Sequence, residues 1–251
     1  MSHTTPIHIR PVAFAQVRHL LERHYAGGRP ARLCRVLGAF MPDEPVPVGA
    51  LLVAFPPLNT GWRAGAWSDA YRAGPRRAIA RRINRDLRVI ARVVVDPRFR
   101  GGGIGIALVR SYLARPVTRR TEAVASMGEH CPIFERAGMR RIDTRPTTRD
   151  TTLRRGLRRC GVRPDVLVDD RLLARALRRR PDIASLLAAW ARASRATRAA
   201  LHRPDGLPDI AAQAARAILA PPAVFVAERG DARRTAWRKK SSTTEITEST
   251  E

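Results

Sequence analysis

The stretch ARVVVDPRFRGGGIGIALVR, residues 91–110, decides the fold of this chain. An apolar run typical of a strand ends at Asp96, a basic glycine-rich turn follows, and apolar residues at helical spacing continue to Leu113. A strand, a glycine turn and a helix start bring unpaired backbone N–H groups and the positive end of a helix dipole to one point. Glycine also lets the backbone approach an anion without an intervening Cβ. The stretch therefore predicts a cradle for a pyrophosphate group.

The spacing of the glycines and basic residues within the turn excludes two known classes of nucleotide-binding loop. A Walker A loop needs Lys followed by Ser or Thr, and the first lysine of this chain is Lys239. A dinucleotide fingerprint needs glycine where this chain has Ile106. What remains is Arg-x-x-Gly-x-Gly, formed by Arg100, Gly103 and Gly105 and preceded by V-V-x-P.

A second motif follows a predicted strand at 121–127. Residues 131–143, CPIFERAGMRRID, predict a short helix, a turn at Gly138 and a further strand. Phe134, Glu135 and Met139 fill the pattern "aromatic-Glu-x-x-Gly-aromatic or Met".

The two motifs, in this order and at this separation, resemble the GCN5-related N-acetyltransferase (GNAT) superfamily over about residues 8–145. The resemblance implies an α/β (α+β) fold with a mixed, mostly antiparallel central sheet flanked by helices. It implies acetyl-CoA or another acyl-CoA as co-substrate, with the strand pairing with the pantetheine arm and the loop amides holding the pyrophosphate. The cofactor-binding residues implied are Val93, Val94, Val95, Arg100, Gly101, Gly102, Gly103, Ile104, Gly105 and Ile106.

Acyl transfer to an amine needs a deprotonated amine, a polarised thioester carbonyl and a proton for the leaving thiolate. The family often takes that proton from a Tyr in the short helix, but this chain has Phe134 there. Glu129 and His130 are close in sequence to that helix, and a covalent intermediate on a cysteine is an alternative to the family's direct transfer. The candidate catalytic residues are His24, Tyr25, Ser126 and Cys131.

The chain is strongly basic. Its 251 residues carry 47 basic side chains against 22 acids, a net charge of +25, and only Lys239 and Lys240 are lysines. Such a surplus attracts polyanions, with nucleic acid first among them, although a solvated basic surface has the same composition. The segment Arg72–Arg92 holds eight arginines and one acid. If 76–87 is helical, we expect a basic face of Arg77, Arg81, Arg85 and Arg88.

Three cysteines without metal-type spacing argue against a disulfide framework or a metal site, and favour a cytoplasmic protein. No apolar run approaches the ~20 residues of a membrane span, and the N-terminus lacks a signal-peptide core. We therefore expect no membrane partner.

The domain organisation follows from changes in composition along the chain. We predict an acyltransferase-like domain over 1–146, a helical insertion or extension over 147–220, a final sheet strand over 221–228 and a disordered tail over 229–251. Within these we expect an opening helix at 10–26, and helices at 169–179, 181–201 and 208–219. In the long excursion 56–88, Trp62, Trp67 and Tyr71 either stack on bases or pack the segment onto the sheet.

Three functions are compatible with this pattern. The first is a coenzyme A-dependent N-acyltransferase with an unidentified amine acceptor. The second is an acyltransferase of the same fold that modifies nucleic acid. The third is a non-catalytic, basic nucleic-acid-binding protein, which Phe134 favours and the intact Arg100–Gly105 loop disfavours.

Overall fold

The computed structural model of the chain describes residues 6–22, 30, 32–126 and 128–230. It divides into two compact units. The sheet unit comprises Met1–Asp143 with Ala223–Glu251, and the helical unit comprises Thr144–Pro222. His24 and Tyr25, and the tail from residue 231 onwards, lie outside the described residues.

The sheet unit is built on seven strands in the order β1-β2-β3-β4-β5-β7-β6. Every neighbouring pair is antiparallel except β4 and β5, which confirms the prediction of a mixed, mostly antiparallel sheet. The strands are β1 (His8–Pro11), β2 (Leu33–Phe40), β3 (Gly49–Ala54), β4 (Leu87–Val95), β5 (Arg120–Ala125), β6 (Arg140–Ile142) and β7 (Ala223–Glu228).

The described residues of the sheet unit form the helices α1 (Arg18–Glu22), α2 (Arg63–Trp67), α3 (Arg76–Asp86), α4 (Ile104–Ala114) and α5 (Ile133–Arg136). The main core lies between one sheet face and α4, whose Leu108, Val109 and Tyr112 are buried against residues such as Leu51 and Phe225. On the other face, Leu20 and Leu21 of α1 cover Leu52 and Val94. The sheet therefore has helices on both faces, as α/β layering requires.

The predicted opening helix at 10–26 is wrong over its first half. The chain first forms β1, then a 3₁₀ turn at Phe14–Val17, and α1 begins only at Arg18. The apolar residues at Val17, Leu20 and Leu21 are at helical spacing and are buried, but those before them are not in an α-helix.

The excursion 56–88 is packed onto the sheet by its aromatic residues. Trp67 and Tyr71 are buried against Val224 and Val226, which confirms the packing role over base stacking for these two residues. The prediction that Arg88 belongs to the basic face of this helix is wrong, because α3 ends at Asp86 and Arg88 lies in β4. There the Arg88 guanidinium donates to backbone carbonyls and lies over the Phe55 ring.

The helical unit contains α6 (Thr148–Arg159), α7 (Asp170–Arg179), α8 (Asp182–Arg192), α9 (Arg195–Arg198) and α10 (Gly206–Leu219). Their apolar faces share one core, which includes Leu157, Leu187 and Ile210. The helix expected over 181–201 is interrupted, since α8 ends at Arg192 and α9 is a separate turn. Across the described part of the chain, none of the helices combines the length and the apolar character needed to cross a bilayer.

Candidate active site

A one-residue bulge in β4 opens the sheet. The register of β3 against β4 pairs Leu52 with Arg92 and Val53 with Ile90, so that Ala91 has no partner of its own. An extra residue of this kind bends its strand and increases the local twist. The parallel ladder between β4 and β5 ends at the same place, with Ile90 opposite Ala123.

Beyond the bulge, β4 and β5 pair with different strands. β5 continues in its ladder with β7, where Val124 lies opposite Val224. β4 continues only in its ladder with β3, as far as Val95 opposite Gly49. Among the described residues no strand pairs with this edge of β4 beyond Ile90, so the edge borders a gap between β4 and β5.

This gap forms a cleft of about 600 Å³. Its walls are β4, the end of β5, the glycine turn, the first turn of α4, and α5 with the residues just before it. The lining residues are Ile90, Ala91, Arg92, Val93, Val94, Val95, Phe99, Arg100, Gly101, Gly103, Ile104, Gly105, Ile106, Val124, Ala125, Ser126, His130, Cys131, Pro132, Ile133, Phe134 and Arg136.

Two glycines give the turn its shape. Gly101 has φ = +87° and Gly103 has φ = +78°, a backbone region that side chains other than glycine rarely adopt. Gly105 has a different role, because a Cβ there would lie 3.6 Å from Val93 Cγ1 and 3.9 Å from Ile133 Cγ2. Both neighbours line the cleft, so any larger side chain at Gly105 would enter it.

The N-terminus of α4 presents free donors to the cleft. Its first backbone hydrogen bond runs from the Ala107 N–H to the Gly103 carbonyl at 3.0 Å. The N–H groups of residues 103–106 precede that bond and have no acceptor within the helix, and none of the described side chains caps this end. With the positive end of the helix dipole, they form an environment that favours an anion.

Arg98 and Arg100 leave the turn in different directions. Arg98 is paired with Asp96, whose carboxylate also accepts the Arg98 N–H at 3.0 Å and so caps the turn. Arg100 lines the cleft, and its Nε donates to the Val95 carbonyl at 3.2 Å. This bond fixes Arg100 at the end of β4, with its terminal N–H groups available to a ligand.

Nine of the ten predicted cofactor-binding residues line the cleft. The exception is Gly102, which lies in the same turn but is not part of the lining. Of the predicted catalytic residues, the structure brings Ser126 and Cys131 to the cleft, together with His130. All three are exposed.

Phe134 lies in the wall of the cleft, and its side chain has no ionisable group. Its side chain is 6% exposed and stacks on Phe225 with ring centroids 5.2 Å apart. The stacking explains why an apolar ring is stable at this position, but it supplies no proton. Besides Arg136, the polar lining residues nearest in sequence to Phe134 within the described part of the chain are Ser126, His130 and Cys131.

Sequence reasoning missed several residues of this site. Ala91 forms the bulge and Val124, which is 46% exposed, faces the opening from β5. Arg136 adds a positive charge from α5. Only Arg136 had a visible signal, since it lies within the second motif and on a short helix next to the turn.

Among the described residues, no group of three or more His, Cys, Asp or Glu side chains is placed to hold a metal ion. No protein-family model matches the chain, and no curated protein matches it. The class that the structure defines is a mixed α/β protein with an open, mostly antiparallel sheet split at β4 and β5. Its function is argued below from the cleft itself.

Proposed function

We propose that the cleft binds an acyl-coenzyme A and transfers the acyl group to an amine. One observation carries this proposal: beyond Ile90, the edge of β4 that has parted from β5 leads directly to the N-terminus of α4. An extended ligand with amide groups and a pyrophosphate matches both features at once. The mixed, mostly antiparallel sheet is also the one that the GNAT resemblance implies.

The ligand contacts follow from the chemistry of the walls. The pantetheine amides would add to the free edge of β4 as a further strand does, through main-chain hydrogen bonds. The pyrophosphate would accept from the N–H groups of residues 103–106, with Arg100 and the helix dipole balancing its charge. Val93 and Val95 provide apolar contact for the methylene groups.

The reaction requires a simple exchange of bonds. The amine nitrogen forms a bond to the thioester carbonyl carbon, the C–S bond breaks, and the thiolate of coenzyme A takes up a proton as the amine releases one. An N–H at the free edge of β4 stabilises the carbonyl oxygen as it becomes negative. Phe134 cannot protonate the thiolate, so Ser126 or His130 supplies or relays that proton.

Calorimetric titration with acetyl-CoA tests binding. The wild-type chain should bind, and Gly105→Val should weaken binding roughly tenfold or more, because its methyl groups would enter the cleft. Gly65→Val is the matched control, since nothing lies within 4 Å of a Cβ at Gly65 in α2, outside the cleft lining. Failure of the wild type to bind acetyl-CoA would overturn the proposal.

A second candidate, coenzyme A binding without transfer, is favoured by Phe134 alone. The two candidates, acyl transfer and binding alone, are distinguished by measuring the release of free coenzyme A thiol in the presence of a mixture of amines. Thiol release above the rate without protein supports transfer. Tight binding without release supports a binding role, for which an acyl acceptor is not required.

A further inference from the structure

The helical unit carries far more positive charge than its own acids balance. Residues 144–222 contain 17 arginines and no lysine, against seven aspartates and no glutamate. Four of the aspartates are already paired with arginines; the pairs are Arg149–Asp150, Arg163–Asp165, Arg180–Asp182 and Arg203–Asp209. The formal surplus of ten charges repels itself and attracts polyanions.

Helix α6 presents part of this surplus as a stripe. Arg155, Arg158 and Arg159 are three and four positions apart and therefore share one face, where all three are exposed. Leu153 and Leu157 lie on the opposite face and are buried in the core of the unit. The orientation of the arginines is thus fixed by the packing of α6.

Helix α7 presents a second stripe. Arg171, Arg175, Arg178 and Arg179 share one exposed face, and Leu173 on the opposite face is buried. No acid stands within this stripe, so like charges lie one helical turn apart along α7. Like charges one turn apart repel each other, so this arrangement destabilises α7 in the free protein.

Helix stability accounts for only part of the two stripes. Arginines in the last turn complement the helix dipole, which suits Arg158, Arg159, Arg178 and Arg179. Arg171 stands in the first turn of α7, where the dipole disfavours a cation. Within the described part of the chain, none of the seven arginines forms an ion pair.

The two stripes adjoin at their C-terminal ends. Cys160 follows α6 and Arg180 follows α7, and the Arg180 Nη1 donates to the Cys160 carbonyl at 3.3 Å. Arg158 and Arg159 therefore lie near Arg178 and Arg179. We call these four residues together with Arg155, Arg171 and Arg175 the arginine face.

We propose that the arginine face binds the phosphate backbone of a nucleic acid. Guanidinium groups donate two parallel hydrogen bonds to phosphate oxygens, and a run of them neutralises successive phosphates. An anionic bilayer is the weaker match, because the apolar side of α7 is used in the unit's own core. Leu172, at 47% exposed, is the single large apolar side chain that α7, all of whose residues are described, leaves exposed. This proposal does not depend on acyl transfer.

The proposal is tested by fluorescence anisotropy. A labelled DNA duplex of mixed sequence is titrated with the full chain at a series of salt concentrations. The variant R158Q/R159Q/R178Q/R179Q should bind roughly 100-fold or more weakly at about 0.1 M salt, with the slope of log K against log salt reduced by about 0.9 for each lost phosphate contact. The matched control R76Q/R77Q/R81Q/R85Q removes the same charge from α3 in the sheet unit and should lose much less.

The corresponding four Arg→Lys substitutions keep the charge and should retain most of the affinity, which separates loss of contact from loss of folding. Equal losses in the α3 control and the arginine-face variant would show a general charge effect and overturn the proposal. So would absence of duplex binding by the wild type, or stronger binding to phosphatidylserine vesicles than to the duplex.

Discussion

The Arg63 guanidinium donates to both carboxylate oxygens of Glu122, from Nε at 2.9 Å and from Nη2 at 2.8 Å. Neither side chain is more than 4% exposed. Trp67 Nε1 donates to the same carboxylate at 3.0 Å, and Arg63 also donates to the carbonyls of Pro57 and Leu58. The ion pair thus fastens the segment 56–71 to β5, one strand residue before Ala123, where β4 and β5 part.

Breaking this pair should be costly. Glu122→Gln leaves the Arg63 charge buried without a counter-ion, and we expect a loss of about 3–5 kcal/mol in the free energy of unfolding, measured by urea denaturation. Arg119→Gln is the control, because Arg119 is 70% exposed in its pair with Glu228 and should cost no more than about 1 kcal/mol. Similar losses in the two variants would contradict the buried character of the Arg63–Glu122 pair.

Phe134 and Phe225 should respond differently to a hydroxyl group. Phe134 lines the cleft, so the hydroxyl of Phe134→Tyr can reach the cleft and its water, and we expect stability within about 1 kcal/mol of the wild type. Phe225 is fully buried, and Phe225→Tyr should cost about 1–3 kcal/mol for an unsatisfied hydroxyl. Thermal unfolding of the two variants measures the difference, and the reverse order would be inconsistent with the cleft.

Phe134→Tyr also places a proton donor in the wall of the cleft. If proton supply to the leaving thiolate limits transfer, the variant should release coenzyme A from acetyl-CoA faster than the wild type at the same amine concentration. The Phe225→Tyr variant serves as the control, since Phe225 is not part of the lining. An unchanged rate in the Phe134→Tyr variant would mean that proton supply does not limit the reaction.

Cys131 should be protected by the proposed ligand. Its side chain is exposed and lines the cleft, whereas Cys34 and Cys160 are not part of that lining. Saturating acetyl-CoA should slow maleimide labelling of Cys131 roughly tenfold and leave labelling of Cys34 and Cys160 unchanged, as read by peptide mass spectrometry. Equal labelling of Cys131 with and without ligand would place the ligand elsewhere.

The reactivity of Cys160 should depend on Asp182. Partial burial raises the pKa of the Cys160 thiol, and the Asp182 carboxylate, 3.2 Å from the sulfur, raises that pKa further. Asp182→Asn removes the negative charge, so the pKa should fall and a larger fraction of the thiol should be ionised at a given pH. Alkylation of Cys160 in a C34S/C131S background should therefore reach its half-maximal rate at lower pH in the variant. A shift to higher pH, or none, would contradict the contact.

The strand, turn and helix of residues 91–110 were predictable because their signals are local. The run of valines, the Asp96-Pro97 break and the glycines each act over a few residues. The bulge at Ala91 was not predictable, because it depends on the register of β4 against β3, more than 35 residues away in the chain. The opening of the cleft therefore appears only when the strands are paired.

Neither β1 nor α6 was predicted from the sequence, because both contain few apolar residues. β1 is four residues long, contains Pro11 and lies at the edge of the sheet, where proline is tolerated. α6 buries only Leu153, Gly156 and Leu157 among arginines and threonines, so its helical period is weak in sequence. A Cβ at Gly156 would lie 2.7 Å from Leu186 Cδ2, so a larger residue there would require the Leu186 side chain to move.

Glu122 shows the limit of sequence reasoning for polar residues. In the sequence it is the single acid of a short predicted strand, and nothing nearby indicates its partner. Arg63 is 59 positions earlier, among many other arginines. Burial of an acid in a strand implies some cation, but the choice among 45 arginines is made by the fold.

The place of β7 in the sheet has a consequence for biosynthesis. β7 lies between β5 and β6, yet it follows the whole helical unit in the chain. A ribosome that has completed residue 143 has produced β5 and β6 without the strand that joins them, and Phe134 without the ring on which it stacks. The helical unit can fold as soon as it emerges, whereas the sheet unit must wait for Glu228, so the nascent protein matures from its middle outwards.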